Sequence, residues 1–88
     1  GADLPAVLAA MSSFRDRSLG TGVIAFGEVG LAGEVRPVRF GEERLREAAK
    51  QGFTRAIVPS ANLPRKPIAG LDAIGVRSVS EAIDCAFD

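Results

Sequence analysis

Three stretches of the chain carry apolar residues at helical spacing, and the segments between them alternate short β-prone runs with glycine and proline. Leu4, Val7, Leu8, Met11 and Phe14 recur on one helical face; Asp3 stands where an N-cap belongs, and Pro5 falls in the first turn, where its missing N–H costs little. The charged run Phe14-Arg15-Asp16-Arg17-Ser18 and the turn signal Gly20-Thr21-Gly22 close that helix. Val23 to Phe26 predicts a strand, Gly27 to Gly33 a glycine-rich reversal, and Glu34 to Val38 a returning strand that forms a loose hairpin with the first. Pro37 cannot donate to a ladder, so it belongs at a strand end or edge. Residues 41–51 predict a second helix with a narrow stripe of Leu45, Ala48 and Ala49, a Glu42/Arg46 pair one turn apart, and Gly52 placed for a left-handed C-terminal cap. Ala56-Ile57-Val58, ended by Pro59, follows at once, which suggests a βαβ unit and a parallel pair. Residues 59–70 read as a surface connection and Ile74 to Arg77 as a last strand. Ser78 and Glu81 have capping-box spacing before a final stripe of Val79, Ala82, Ile83, Ala86 and Phe87.

This alternation predicts one α/β domain spanning 1–88, and the length allows no more than one. No apolar run reaches the roughly 20 residues of a membrane span, and the N-terminal stretch lacks the basic region of a signal peptide. Eleven basic and eleven acidic residues cancel, so a nucleic-acid contact would require basic residues gathered on one face. The single Cys85 excludes an internal disulfide and fits a reducing compartment such as the cytoplasm. With no histidine, Ser-His, Cys-His and His-metal chemistry are ruled out. No metal site and no small-molecule ligand are expected.

Candidate chemistry changes this picture little. Gly27, Gly30 and Gly33 join two strands rather than a strand to a helix N-terminus, so they serve turn geometry and not a dinucleotide phosphate; no Gly-Lys-Ser/Thr is present for a nucleotide loop. A nucleophilic serine would need lysine as its base, and Lys50 and Lys66 both fall in solvated segments. Cys85 reads as a packing residue, while Glu28 interrupts an apolar run and invites a specific role. Arg36, Arg39 and Arg44 flank the junction between the returning strand and the second helix, where several guanidinium groups could meet phosphates without reading bases. The other basic groups are Arg15/Arg17 and Arg65/Lys66.

The segments VIAFGEVGLAGEVRPV, ERLREAAKQGFTRAIVP, GVRSVSEAI and SSFRDR closely resemble the C-terminal domain of the RadA (Sms) family of bacterial DNA-repair ATPases. The resemblance spans essentially the whole chain. A similar segment with Arg-Pro-Val occurs in the ComM family of Mg-chelatase-like helicases, which is the nearest alternative. The resemblance implies a Lon-protease-like, ribosomal-S5-domain-2-like fold, here expected to be incomplete at the N-terminus. Lon-type serine peptidases use a serine at the start of the first helix and a lysine early in the second. By residue count these positions fall on Gly1 and Arg44, so no peptidase activity is expected. The family implies a parent that binds ATP and Mg and carries a zinc finger, all outside this chain, forms rings, and processes branched recombination intermediates. The family implies DNA contact, and zero net charge makes the expected contact weak and non-specific. Missing opening strands would leave a strand edge unpaired and Leu4, Leu8 and Met11 partly uncovered, so self-association is expected as well.

Overall fold

A computed structural model describes residues 2–15 and 22–87, with side chains from Asp3 to Met11 and from Gly22 to Phe87. In chain order, β1 (Ala2–Asp3) leads into α1 (Leu4–Arg15), followed by β2 (Val23–Ala25), β3 (Glu28–Val29), β4 (Val35–Arg36) and α2 (Gly41–Lys50). The chain ends with β5 (Arg55–Pro59), a 3-10 turn at Ser60–Asn62, β6 (Asp72–Val76) and α3 (Val79–Phe87). β2, β5 and β6 form a parallel sheet with β5 central; β1, β3 and β4 form a small antiparallel one. The molecule is thus a small mixed α/β domain with a parallel sheet.

β5 decides where the core sits. Its side chains alternate across the sheet, as the twofold period of a strand requires. Ile57 joins Leu4, Leu8, Val35, Val76, Ala82 and Phe87 beneath α1 and α3. Ala56 and Val58 join Phe26, Leu45, Ala48 and Leu71 beneath α2. A strand buried on both faces must be apolar throughout, and Ala56-Ile57-Val58-Pro59 is. Pro59 does not stop short of the strand: it is the last strand residue, buried and paired with Val76.

The helix caps follow the local sequence. Asp3 Oδ1 accepts the Ala6 amide at 2.8 Å. At the end of α2, the Phe53 amide donates to the Ala48 carbonyl and the Gly52 amide to Ala49, with Gly52 at φ 96°. This double bond pattern around a left-handed residue is a Schellman motif. Ser78 Oγ accepts the Glu81 amide at 3.2 Å, but the Glu81 carboxylate reaches back to the Arg77 amide, one residue earlier than a capping box requires. The expected turn after α1 is described only at Gly22, at φ 80°; Gly20, Thr21, Asp16, Arg17 and Ser18 lie outside the described residues.

Two expectations are corrected. The hairpin does not pair Val23–Phe26 with Glu34–Val38. β2 pairs only with β5, and the hairpin is formed by Glu28–Val29 and Val35–Arg36. The cause is Gly27, at φ 146°, where the chain leaves one sheet for the other; a Cβ there would sit 3.0 Å from Val35 and 3.1 Å from Pro59. Its carbonyl also accepts the Leu4 amide at 2.8 Å, locking the bend to the start of α1. Second, Leu4 and Leu8 are not uncovered: both are fully buried, and half-buried Met11 packs on the same cluster. Cys85 also packs there. Glu28 is exposed on β3, opposite Arg36 in register.

Candidate nucleic-acid interface

The path from β4 to α2 carries the three arginines singled out by the sequence. Arg36 is exposed on β4, and its Nη2 donates to Glu34 Oε2 at 3.2 Å. Glu34 Oε1 in turn accepts the Ala32 amide at 3.1 Å, so the carboxylate folds over the hairpin turn. Gly30 leaves the space for it, since a Cβ there would collide with the Glu34 carboxylate. Its own backbone amide, then Arg36, then the Ala32 amide hold the Glu34 carboxyl below the usual carboxylate range.

Arg39 and Arg44 are brought together. Arg44 Nε donates to the Arg39 carbonyl at 3.0 Å, and the guanidinium stands 6.0 Å from the centre of the Phe26 ring. Between them Phe40 adopts φ 59° and is 66% exposed, a left-handed conformation that bulky residues rarely take. Phe40 is the N-cap of α2, and its carbonyl accepts the Arg44 amide at 2.9 Å. Beside it runs an open groove of about 570 Å³, with Ile24, Phe26, Phe40 and Ala48 among its apolar walls and Glu43 and Glu47 on its rim. Among the described residues, no hydrogen bond or ion pair links Arg36 to the Arg39–Arg44 pair. Gly1 lies outside the described residues, so Arg44 alone of the two protease-like positions has a described setting: exposed and charged.

Asn62 is a residue that sequence reasoning missed. Its side-chain oxygen accepts the Val38 amide at 2.8 Å and its Nδ2 donates to the Val38 carbonyl at 3.0 Å. One side chain thereby satisfies both backbone groups of a residue far away in sequence. Gly41 lets it approach, for a Cβ there would lie 2.5 Å from Nδ2. This clamp fixes the entry to α2 against the connection leaving β5. Arg46 of α2 lines a second concavity together with Arg65 and Lys66 of that connection.

The described residues thus form a mixed α/β domain with a parallel sheet, an apolar core and exposed arginines on either side of the entry to α2. The chain belongs to the family described as subunit ChlI of Mg-chelatase, whose model matches residues 2–62. It is 56% identical, over 99% of its length, to the DNA repair protein RadA of Salmonella typhimurium and likewise to that of Escherichia coli. To RadA of Bacillus subtilis it is 49% identical over 92% of its length. The resemblance read from the sequence therefore extends through nearly every residue. The chain spans about a fifth of these relatives, 19% of the first two and 18% of the third. No helix among the described residues is long and apolar enough to cross a membrane.

Proposed function

We propose that this chain is the non-catalytic, Lon-protease-like module of a RadA-like DNA-repair ATPase. Its role is to support ring assembly and contact the DNA backbone while the parent processes branched recombination intermediates in the cytoplasm. The observation that carries this reading is the 56% identity to DNA repair protein RadA across 99% of the chain. ATP, Mg and a zinc finger belong to the rest of the parent. Arg44 occupies the place of the lysine in resembling peptidases, and a guanidinium stays protonated at any physiological pH, so it cannot act as the general base. A serine-directed covalent probe should leave the protein unlabelled; labelling would restore the peptidase reading.

The match to the Mg-chelatase subunit family favours a second reading, the equivalent domain of a ComM-like helicase. The ATPase found in the same polypeptide distinguishes the two. Self-association remains part of the leading reading, on the ground of strand edges alone, since the apolar residues of α1 are covered. β2 and β6 are the outer strands of the parallel sheet among the described residues, and outer strands offer pairing groups to a second chain. Sedimentation equilibrium at micromolar concentration should show a dimer or larger species; a monomer mass throughout would remove this element. DNA contact is assigned to Arg36, Arg39 and Arg44. Fluorescence anisotropy with single- and double-stranded oligonucleotides should find weak binding without sequence preference, lost between about 50 and 200 mM salt. Replacing all three by alanine should weaken it, and salt-insensitive, sequence-selective binding would refute the assignment.

A further inference from the structure

The opposite flank of α2 carries a separate constellation. At 100° per residue, Arg46 lies roughly 160° around the helix from Arg44, so the two cannot serve one surface. Arg46 is exposed and pairs through Nη2 with Glu42, one turn earlier. Facing it across a concavity of about 400 Å³ are Arg65 and Lys66, with Pro67 and Ile68 completing the wall. Three cations and one carboxylate thus line the same concavity. Among the described residues, neither Arg65 nor Lys66 forms an ion pair.

The site is held in place by its surroundings. Leu63 lies against Gly75, where even a Cβ would come within 2.6 Å of the leucine methyl, and Ile68 packs on the cluster beneath α2. The loop is therefore anchored on both sides of Arg65 and Lys66. Pro64 and Pro67 fix their own φ angles, and Pro67 also restrains Lys66 toward extended backbone. The Asn62 clamp ties the start of this loop to Val38, just before α2, so loop and helix keep their spacing. Two cations on a braced loop lose less freedom on binding an anion than two on a free one.

We propose that this concavity binds the phosphodiester group of a nucleic-acid backbone through Arg46, Arg65 and Lys66, a proposal that rests on the reading of the chain as a DNA-contacting module. Glu42 engages one nitrogen of Arg46, which leaves its other N–H donors for a phosphate oxygen. Arg65 offers the planar fork that matches phosphate, and Lys66 a compact charge beside it. The walls contain no aromatic ring, so a base has nothing to stack on and the contact is independent of sequence.

The test is anisotropy with a fluorescein-labelled oligothymidylate on the intact chain, repeated from about 50 to 200 mM salt, alongside amide NMR titration with inorganic phosphate. The triple variant R46A/R65A/K66A should bind about tenfold more weakly at the lower salt, and the slope of log affinity against log salt should shrink by roughly two, about 0.7 for each lost single-strand contact. Lys66→Glu alone should weaken binding in the same direction. Wild-type binding that neither variant alters would overturn the proposal while leaving the DNA reading intact. Absence of oligonucleotide binding, with phosphate still shifting the amides of residues 46, 65 and 66, would instead refute the DNA reading and reassign the pocket to another phosphate source. Displacement of the oligonucleotide by poly-glutamate of equal length and at equal concentration would overturn it in favour of an acidic protein partner.

Discussion

The two flanks of α2 each carry an arginine, yet the residues around them make unlike surfaces. On one flank Arg44 donates to the Arg39 carbonyl, stands over the Phe26 ring, and overlooks an apolar groove edged by Glu43 and Glu47. On the other, Arg46 faces Arg65 and Lys66 across a smaller concavity whose one carboxylate is Glu42. A chain of zero net charge can therefore hold a locally positive site, provided the fold gathers cations from separated segments. What distinguishes the flanks is neighbours, not residue type. Like charges brought together by tertiary structure act on a polyanion jointly, while an arginine beside carboxylates has part of its field cancelled.

The comparison depends most on Asn62, because that residue sets the position of the loop opposite Arg46 and of the turn preceding Arg44. Asn62→Ala removes the partners of both Val38 backbone groups in a part-buried setting. An orphaned buried polar group costs about 1–3 kcal/mol, so the expected loss is roughly 2–3 kcal/mol. For a domain of this size that lowers Tm by about 10–20 °C. Thermal unfolding followed by circular dichroism measures it. A loss under about half a kcal/mol would mean that water replaces the clamp, and that the two flanks are positioned independently.

A smaller effect sharpens the electrostatic difference. Replacing Glu43 and Glu47 together by glutamine removes two negative charges from the Arg44 rim without changing side-chain size. If DNA passes within a Debye length of that rim, affinity should rise about two- to fivefold at 50 mM salt and the gain should fade by 200 mM. An unchanged affinity would put the DNA path on the Arg46 side alone. It would also count against Arg39 and Arg44 as contacts.

Whether a feature could be read from the sequence tracks how local its cause is. The three helices were legible because apolar spacing and caps such as Asp3, Gly52 and Ser78 act within one turn of themselves. The parallel pairing was legible in outline from a helix running straight into Ala56-Ile57-Val58. The hairpin partner was not. Val23–Phe26 and Glu28–Val29 are both β-prone, and only the approach of Gly27 to Val35 and Pro59, in distant segments, assigns them to different sheets. The burial of Leu4 and Leu8 was hidden for the same reason, since it depends on α3 packing from the other end of the chain. Arg36, Arg39 and Arg44 could be named together because they are near in sequence. Arg46 meets Arg65 and Lys66 only in the folded chain, where Asn62, Leu63 and Ile68 anchor the loop, and nothing local in either segment announces the meeting.

The smallest expected effect concerns Arg36, the member of the first group that stands apart. Its guanidinium is engaged by Glu34, whose carboxyl lies below the usual range because its own amide, Arg36 and the Ala32 amide all favour the charged form. A carboxylate whose folded pKa is depressed contributes stability that is fully present above its unfolded pKa and is lost as pH falls through the folded one. The pair should thus hold at neutral pH and open only below the ordinary glutamate range. Because the carboxylate is solvent-exposed, the change in stability will be slight. Glu34→Gln should flatten the decline that the wild-type Tm shows below the ordinary glutamate range, while leaving the neutral end nearly unchanged. The same substitution frees Arg36 at pH 7. If Arg36 belongs to the DNA surface, affinity should then rise modestly, by about twofold, whereas a rise in the Arg36→Ala background as well would trace the gain to the lost negative charge itself. A Tm profile with the wild-type acid slope in the glutamine variant would show that other carboxylates carry it and that the Glu34–Arg36 pair adds nothing in solution.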